Sequence, residues 1–443
     1  MIDKIIKRDG RIVPFKREKI TLAILQAAIS VGGRDRATAE KVTDDVIAML
    51  ESLESKQSYP NVEEVQDLVE KCLIERGHAK TAKAYIIYRY EHALKRLGKQ
   101  SLTYSSDNIP YQKLWLALSW GVDHNCISLD QIATIIKKDR YRDLIEASED
   151  FYQNEVDDAV RLIMERIDNI KIIIIAGPSS SGKTTTTIKI RDILKDKGYK
   201  LVTLNVDNYY FDLKDQPKDP YGDYDYETPQ AIDLNLINRH LKDLIEGKTV
   251  PVPFYNFKTG NREGISQELA LGNREILLID SLHGLYDEMT SGVPDTVKFK
   301  LYIETLSQIK DRKNIYVRWA DVRMLRRMVR DMQFRNYSPK QTVAHWHYVR
   351  RSELRYIVSR LQKAHFVVNS FLAYELPIMK HRLGHLFSKF IEEFKKEPER
   401  EDALSRVQRV SEMFSEIPAW EDESVIPPRS VLREFIGGSE YTY

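Results

Sequence analysis

Residues 171–198 read KIIIIAGPSSSGKTTTTIKIRDILKDKG, and this stretch decides the fold. KIIIIA is a short, continuous run of β-branched residues, the makeup of a strand buried on both faces. TTTTIKIRDILKDKG carries apolar residues at helical spacing and stops at Gly198. Between them Gly177-Pro-Ser-Ser-Ser-Gly182-Lys183-Thr184 fits G-x-x-x-x-G-K-[ST]. The glycines let backbone N–H groups turn inward around phosphate oxygens. Lys183 can reach the β- and γ-phosphates, and the Thr184 hydroxyl can ligate Mg2+. Ser179, Ser180, Ser181 and Thr185 complete the expected ATP-contacting loop. A strand before the loop and a helix after it set the match apart from a chance Gly/Ser-rich turn.

Downstream, LVTLNV, EILLID, VKFKLYI and HFVVNS are further short β-rich runs separated by helical or loop segments. Strands alternating with helices imply an α/β domain, a parallel five-stranded sheet covered on both faces. In such sheets ligands gather at the strand C-termini. LVTLNV leads into Asp207, whose carboxylate can take the proton of a hydroxyl attacking the γ-phosphate. ILLID ends on Asp280, suited to holding Mg2+ directly or through water. No N/T-K-x-D guanine motif follows the last strands, which favours a kinase over a GTPase. Residues 207–233 hold eight acids, two bases and five tyrosines, among them Tyr209. This is either a solvated loop or a wall that takes sugar hydroxyls on carboxylates and stacks a ring on aromatics. Residues 310–363 carry fifteen Lys/Arg against four Asp/Glu. Arg323, Arg327 and Arg330 share one helix face, and Arg335 lies past the helix end. Most of these arginines read as a solvated face; one or two from a helical lid would neutralise transferring phosphate.

The rest of the 443-residue chain bounds the answer. Sixty-eight Lys/Arg against 66 Asp/Glu leave a formal charge of +2, which argues against a general nucleic-acid binder. With 42% hydrophobic residues the chain is no candidate for disorder. Two cysteines, Cys72 and Cys126, make no disulfide framework and fit a reducing cytoplasm. The charged start MIDKIIKRDG is unlike a signal peptide, and no apolar run reaches a membrane-span length. Four stretches follow: 1–97, with an Asp9-Gly10 hairpin signal and amphipathic helices; a helical connector, 98–170; the strand–helix domain, 171–391; and a charged tail, 392–443.

GPSSSGKT, VDNYY, YDYETPQAID, VPFYNFKTGNR, ILLIDSLHG and RRMVRDMQFR, in that order, resemble the uridine kinase/phosphoribulokinase family of phosphate-loop kinases. The resemblance implies an Mg-ATP-dependent kinase acting on the primary hydroxyl of a nucleoside. It makes Asp207 the base, Arg327 and Arg330 lid residues on the phosphates, and Arg335 part of the ATP site. Glu227 falls where the family uses an acid on ribose hydroxyls, and Tyr255 and Arg262 fall in its substrate-side loop, with Tyr209 in the VDNYY segment. Four positions depart from the pattern: Glu227 stands for Asp, Gly260 for a base-contacting His, Tyr337 for a second lid Arg, and Asp280 for a strand-end Glu. Other hydroxyl acceptors (a sugar phosphate, a pantothenate-like compound, an amino acid) and a nucleotide-sensing regulator without turnover stay open. IIKRDGRIVPFKREKI and GHAKTAKAYIIYRY resemble the two ends of an ATP-cone, a regulatory nucleotide-binding module. That likeness puts Lys7, Arg8, Gly10 and Lys19 around the phosphates of a regulatory adenine nucleotide. Both families tend to oligomerise, so a homo-oligomer is expected.

Overall fold

A computed structural model describes residues 2–7, 10–31, 33, 35–53, 59–78, 80–82, 84–85, 109–217, 224 and 228–442. The chain divides into two compact units, Met1–Ser105 and Ser106–Tyr443.

In the first unit, β1 (Lys4–Ile6) and β2 (Ile12–Pro14) pair antiparallel, with Gly10 in the turn between them. Helices α1 (Arg17–Ser30), α2 (Arg36–Leu53) and α3 (Val62–Glu75) follow. Asn61 and Glu64 form a reciprocal capping box that starts α3. Ile24, Val42, Val46, Val69 and Leu73 meet in one apolar core.

The second unit opens with α4 (Tyr111–Asp123), α5 (Leu129–Lys137) and α6 (Tyr141–Met164). Then come β3 (Ile172–Ala176), α7 (Lys183–Asp196), β4 (Lys200–Leu204), α8 (Leu234–Ile245), the hairpin β5 (Val250–Asn256) and β6 (Asn261–Leu269), β7 (Glu275–Asp280) and β8 (Lys298–Glu304). After them lie α9 (Trp319–Phe334), α10 (Pro339–Ser352), β9 (Phe366–Asn369), α11 (Glu375–Phe394), α12 (Glu401–Ser415) and the short α13 (Arg433–Ile436). Five strands form a parallel sheet in the order β4-β7-β3-β8-β9. β3 is the middle strand and every residue in it is buried, as an uninterrupted Ile run requires. The chain leaves β3 towards one edge and later returns to its other side, so the loops at the strand C-termini border a crevice.

Three features add to the reading of the bare sequence. Helix α6 shares its core with the sheet: Tyr152, Val156, Ala159 and Ile163 pack in one cluster with Ile173 and Ile175. The charged tail joins the same cluster through Val407, Val410, Phe414, Val431 and Leu432, so its charges mark the outer face of packed helices. Two arginines of the basic block depart from the solvated face that the rest of it keeps. Arg323 and Arg326 are 1% and 0% exposed, because α9 is packed between neighbours that supply carboxylates. Arg326 bonds Glu375 at 2.7 Å, and Arg323 bonds Glu304 at 2.8 Å and Glu353 at 2.5 Å. Among the described residues no helix is long and apolar enough to cross a membrane.

Candidate active site

The loop between β3 and α7 is shaped by its two end glycines. A Cβ on Gly177 would sit 2.3 Å from the Ile303 carbonyl oxygen, and Gly177 and Gly182 take φ +148° and +87°. Three side chains from distant sequence hold the middle of the loop at Ser179. Its N–H donates to Glu353 (3.2 Å), its carbonyl accepts from Arg323 (3.0 Å) and its hydroxyl accepts from Arg327 (3.2 Å). Glu353 in turn accepts from Arg323 and Arg350, and this compensation keeps its carboxyl low despite burial. The hydroxyls of Ser180 and Ser181 are buried with no hydrogen-bond partner among the described residues. Buried polar groups left open at a glycine loop are donors awaiting an anion.

Ser179, Ser180, Ser181, Gly182, Lys183 and Thr184 line a cavity of about 240 Å³ together with Arg327, Arg330, Arg335, Leu282 and Glu434. Six of the expected ATP contacts and three arginines thus converge on one space. Lys183 is folded back, its Nζ donating to the Pro178 carbonyl at 3.1 Å. Burial lowers its ammonium pKa, against the pull of Asp280 and Glu434. Arg327 and Arg330 share Asp331 (3.2 and 3.1 Å), which lies at the foot of α9 and aims both guanidinium groups along the cavity wall. Arg335, the α9 C-cap, is the most exposed of the three. Thr185 makes a contact that no sequence pattern suggests. Its N–H and hydroxyl both donate to the Glu434 carboxylate, at 3.0 and 2.8 Å.

Asp207 follows β4 on a single 3-10 turn, after Asn205 caps that turn by accepting from the Asp207 N–H at 3.0 Å. It is solvent-exposed at the crevice, yet the surrounding protein pushes its carboxyl above the usual range, with Arg335 and Lys183 pulling the other way. Asp280 ends β7 in register with Ile175 of β3. Burial pushes its carboxyl up to about 6, Lys183 opposing and Glu434 and Asp207 reinforcing. A half-buried carboxylate destabilised in this way, within electrostatic reach of Lys183, is a donor that a divalent cation would relieve.

The remaining expected substrate residues are divided. Tyr209 is wholly buried and its hydroxyl meets His240 Nδ1 at 2.8 Å, so it anchors the loop from below and does not face the crevice. Arg262 is spent on the backbone: its Nη2 donates to the Tyr209 and Tyr210 carbonyls (2.9 and 3.0 Å) and its Nη1 meets Asp233 at 3.3 Å. Tyr255 is 4% exposed, and its hydroxyl accepts from Gln216 at 3.1 Å. Its ring packs with Tyr210 and Phe257, centroids 5.6 and 5.0 Å away, and Phe257 is 67% exposed. Tyr210 and Phe257 were missed by sequence reasoning; the pairing of the hairpin with the loop after β4 creates the cluster. Gly260 packs on Leu213, whose N–H donates to its carbonyl at 2.7 Å. Glu227 and Arg8 lie outside the described residues. In the first unit Lys7 and Gly10 sit on the hairpin, where the Gly10 N–H donates to the Lys7 carbonyl at 2.8 Å, and Lys19 lies in the first turn of α1.

Two family models match the chain. Residues 172–376 match the Phosphoribulokinase / Uridine kinase family, and residues 3–94 match the ATP cone domain. A uridine kinase of Staphylococcus aureus is 32% identical over 167 residues, 38% of this chain and 71% of that protein. A uridine kinase of Deinococcus deserti is 29% identical over 187 residues, 42% and 81% of the two chains. Uridine-cytidine kinase B of Dictyostelium discoideum is 27% identical over 210 residues, 47% and 71%. Among solved structures, a possible uridine kinase from Bacillus stearothermophilus aligns with a TM-score of 0.27 at 18% identity, over 33% of this chain and 80% of that one.

Proposed function

Because the chain belongs to the phosphoribulokinase/uridine kinase family of phosphotransferases that act on hydroxyl groups, we propose that it moves the γ-phosphate of ATP to the primary hydroxyl of a nucleoside. One observation carries the reading. Asp207 stands at the crevice within electrostatic reach of Lys183 and Arg335, which line the phosphate cavity. A hydroxyl bound between Asp207 and the cavity would meet a carboxylate on one side and phosphate on the other. Asp207 accepts or orients its proton, and the raised pKa brings that carboxylate closer to the strength a general base needs. Lys183, Arg327 and Arg330 face the charge that spreads over the transferring group. Thr184 and Asp280 would hold Mg2+, which supplies charge neutralisation at the phosphates. The Tyr210–Tyr255–Phe257 cluster offers an aromatic face to a planar base, with Arg262 fixing the backbone on which Tyr210 stands.

The ATP-cone match supports a second, regulatory adenine-nucleotide site in residues 3–94, with Lys7, Arg8, Gly10 and Lys19 at its phosphates. A cytoplasmic homo-oligomer fits both families. The test is a panel of acceptors with Mg-ATP: uridine, cytidine and adenosine against sugar phosphates and pantothenate. Phosphate transfer confined to the non-nucleosides refutes the acceptor assignment. Absence of transfer to every acceptor, with ATP still bound, points to the non-catalytic regulator.

A further inference from the structure

The C-terminal stretch crosses the mouth of the phosphate loop. Ile426, Val431, Leu432, Phe435 and Ile436 are buried in the second unit, and Ser430 is tied to Tyr374 at 3.0 Å. Val431 covers Gly182 so closely that a Cβ there would lie 2.5 Å from it. Glu434, on the next turn, is 9% exposed and reaches the first turn of α7. Its Oε2 accepts from the Thr185 N–H (3.0 Å) and from the Thr185 hydroxyl (2.8 Å). Among the described residues no Lys or Arg forms an ion pair with it within 4 Å; the two Thr185 donors and the positive end of the α7 dipole hold the carboxylate, with Lys183 attracting it from across the cavity.

Those are the groups a bound nucleotide needs. In a loop of this type the backbone N–H groups at the start of the helix cradle the α- and β-phosphates. A carboxylate and a phosphate are both anionic acceptors, and they cannot share one N–H and one hydroxyl at these distances. Resting on the kinase reading, we propose that Glu434 is an internal ligand of the nucleotide site, holding the α-phosphate position until ATP displaces it. The cavity then exists in a self-occupied form and an open form. ATP affinity is reduced by the fraction that is open. Gly437 and Gly438, both at positive φ, end α13 directly after the contact.

The experiment is calorimetric titration of Mg-ATP into the full-length chain and its Glu434→Gln and Glu434→Ala forms. Lys183→Ala serves to identify the kinase-site component, leaving any ATP-cone component in place. Both Glu434 variants should tighten the Lys183-dependent component by about tenfold, a closed form favoured about ten to one. Their ligand-free Tm should stay level or fall, opposite in direction to the affinity. Unchanged or weaker binding in both variants overturns the proposal. Hydrogen exchange on the wild-type chain supplies a reading free of any folding defect: saturating Mg-ATP should speed exchange in residues 430–436. Slower exchange there would mean the segment closes on ATP and does not compete with it, which also overturns the proposal. If no variant shows a Lys183-dependent component, it is the kinase reading that fails.

Discussion

Replacing Asp280 with Asn should make the ligand-free protein more stable and the enzyme worse, with a pH dependence that identifies the cause. The carboxyl is half-buried at the end of β7, and burial raises it from 3.8 to about 6. An unfolded chain gives up this proton near 4, whereas the folded site keeps it to about 6. Between those values the folded state binds more protons, so this group's contribution to stability is lost as pH rises through the folded pKa. Two pKa units correspond to about 3 kcal/mol; residual solvent at the site reduces this to about 1–3 kcal/mol. Asn does not titrate, so Asp280→Asn should be near neutral at pH 4 and stabilising by about 1–3 kcal/mol at pH 8. All five tryptophans lie beyond residue 105, so indole fluorescence in urea follows the second unit. Taking the difference between variant and wild type at each pH cancels the other titrating groups. In parallel, Mg-ATP turnover should fall because the proposed Mg2+ donor is gone. A stability difference that is flat from pH 4 to pH 8 refutes the assignment of a raised carboxyl.

Glu353→Ala leaves the buried Arg323 with Glu304 alone and frees the Ser179 N–H; it should cost about 3–5 kcal/mol in urea unfolding. A loss under about 1 kcal/mol would show that the clamp on the loop is dispensable. Asp207→Asn should lower kcat by about 10²–10⁴-fold while the Kd for ATP holds. In wild type, kcat should fall on the acid side through a pKa above 3.8, since desolvation by the surrounding protein raises this group, and a limb at or below the ordinary value would contradict that. Arg262→Ala removes the donors to the Tyr209 and Tyr210 carbonyls, so acceptor KM should rise several-fold with ATP KM unchanged; equal rises in both would argue for general damage. Deleting residues 1–97 should remove one ATP site by calorimetry and alter the ATP or dATP dependence of turnover. Unchanged stoichiometry refutes a nucleotide site there.

Local pattern was enough wherever the chemistry is local. The Ile172–Ala176 strand, the glycine loop and helix Lys183–Asp196 are contiguous, and the five β-rich runs became the five strands of the parallel sheet. Hydrophobic runs and glycine spacing encode such elements within a few turns of chain, so the element order and the phosphate cavity could be read before any coordinates. The hairpin Val250–Leu269 escaped notice because β5 is interrupted by two prolines and β6 is almost wholly exposed, which blurs the alternation.

Pairings between distant segments lay beyond that reach. The residues 310–363 look solvated by charge count, yet Arg323 and Arg326 are buried because Glu304, Glu353 and Glu375 arrive from β8, from beyond α10 and from α11. A buried arginine is tolerable only where a carboxylate meets it, and which carboxylate does so depends on how helices pack. Tyr209 and Tyr210 are neighbours in a tyrosine-rich loop, and only packing sends one into the core and sets the other, half-buried, against Tyr255 and Phe257. Glu434 is 249 residues from Thr185, a separation over which no periodicity or motif carries information. By itself the sequence determined a kinase-type phosphate loop on a parallel sheet, because backbone propensity and glycine geometry act locally. The tertiary structure alone decided which charges are neutralised, which aromatic rings pack together, and that the Glu434 carboxylate meets Thr185 at the start of α7. Those outcomes depend on desolvation and charge pairing across the fold.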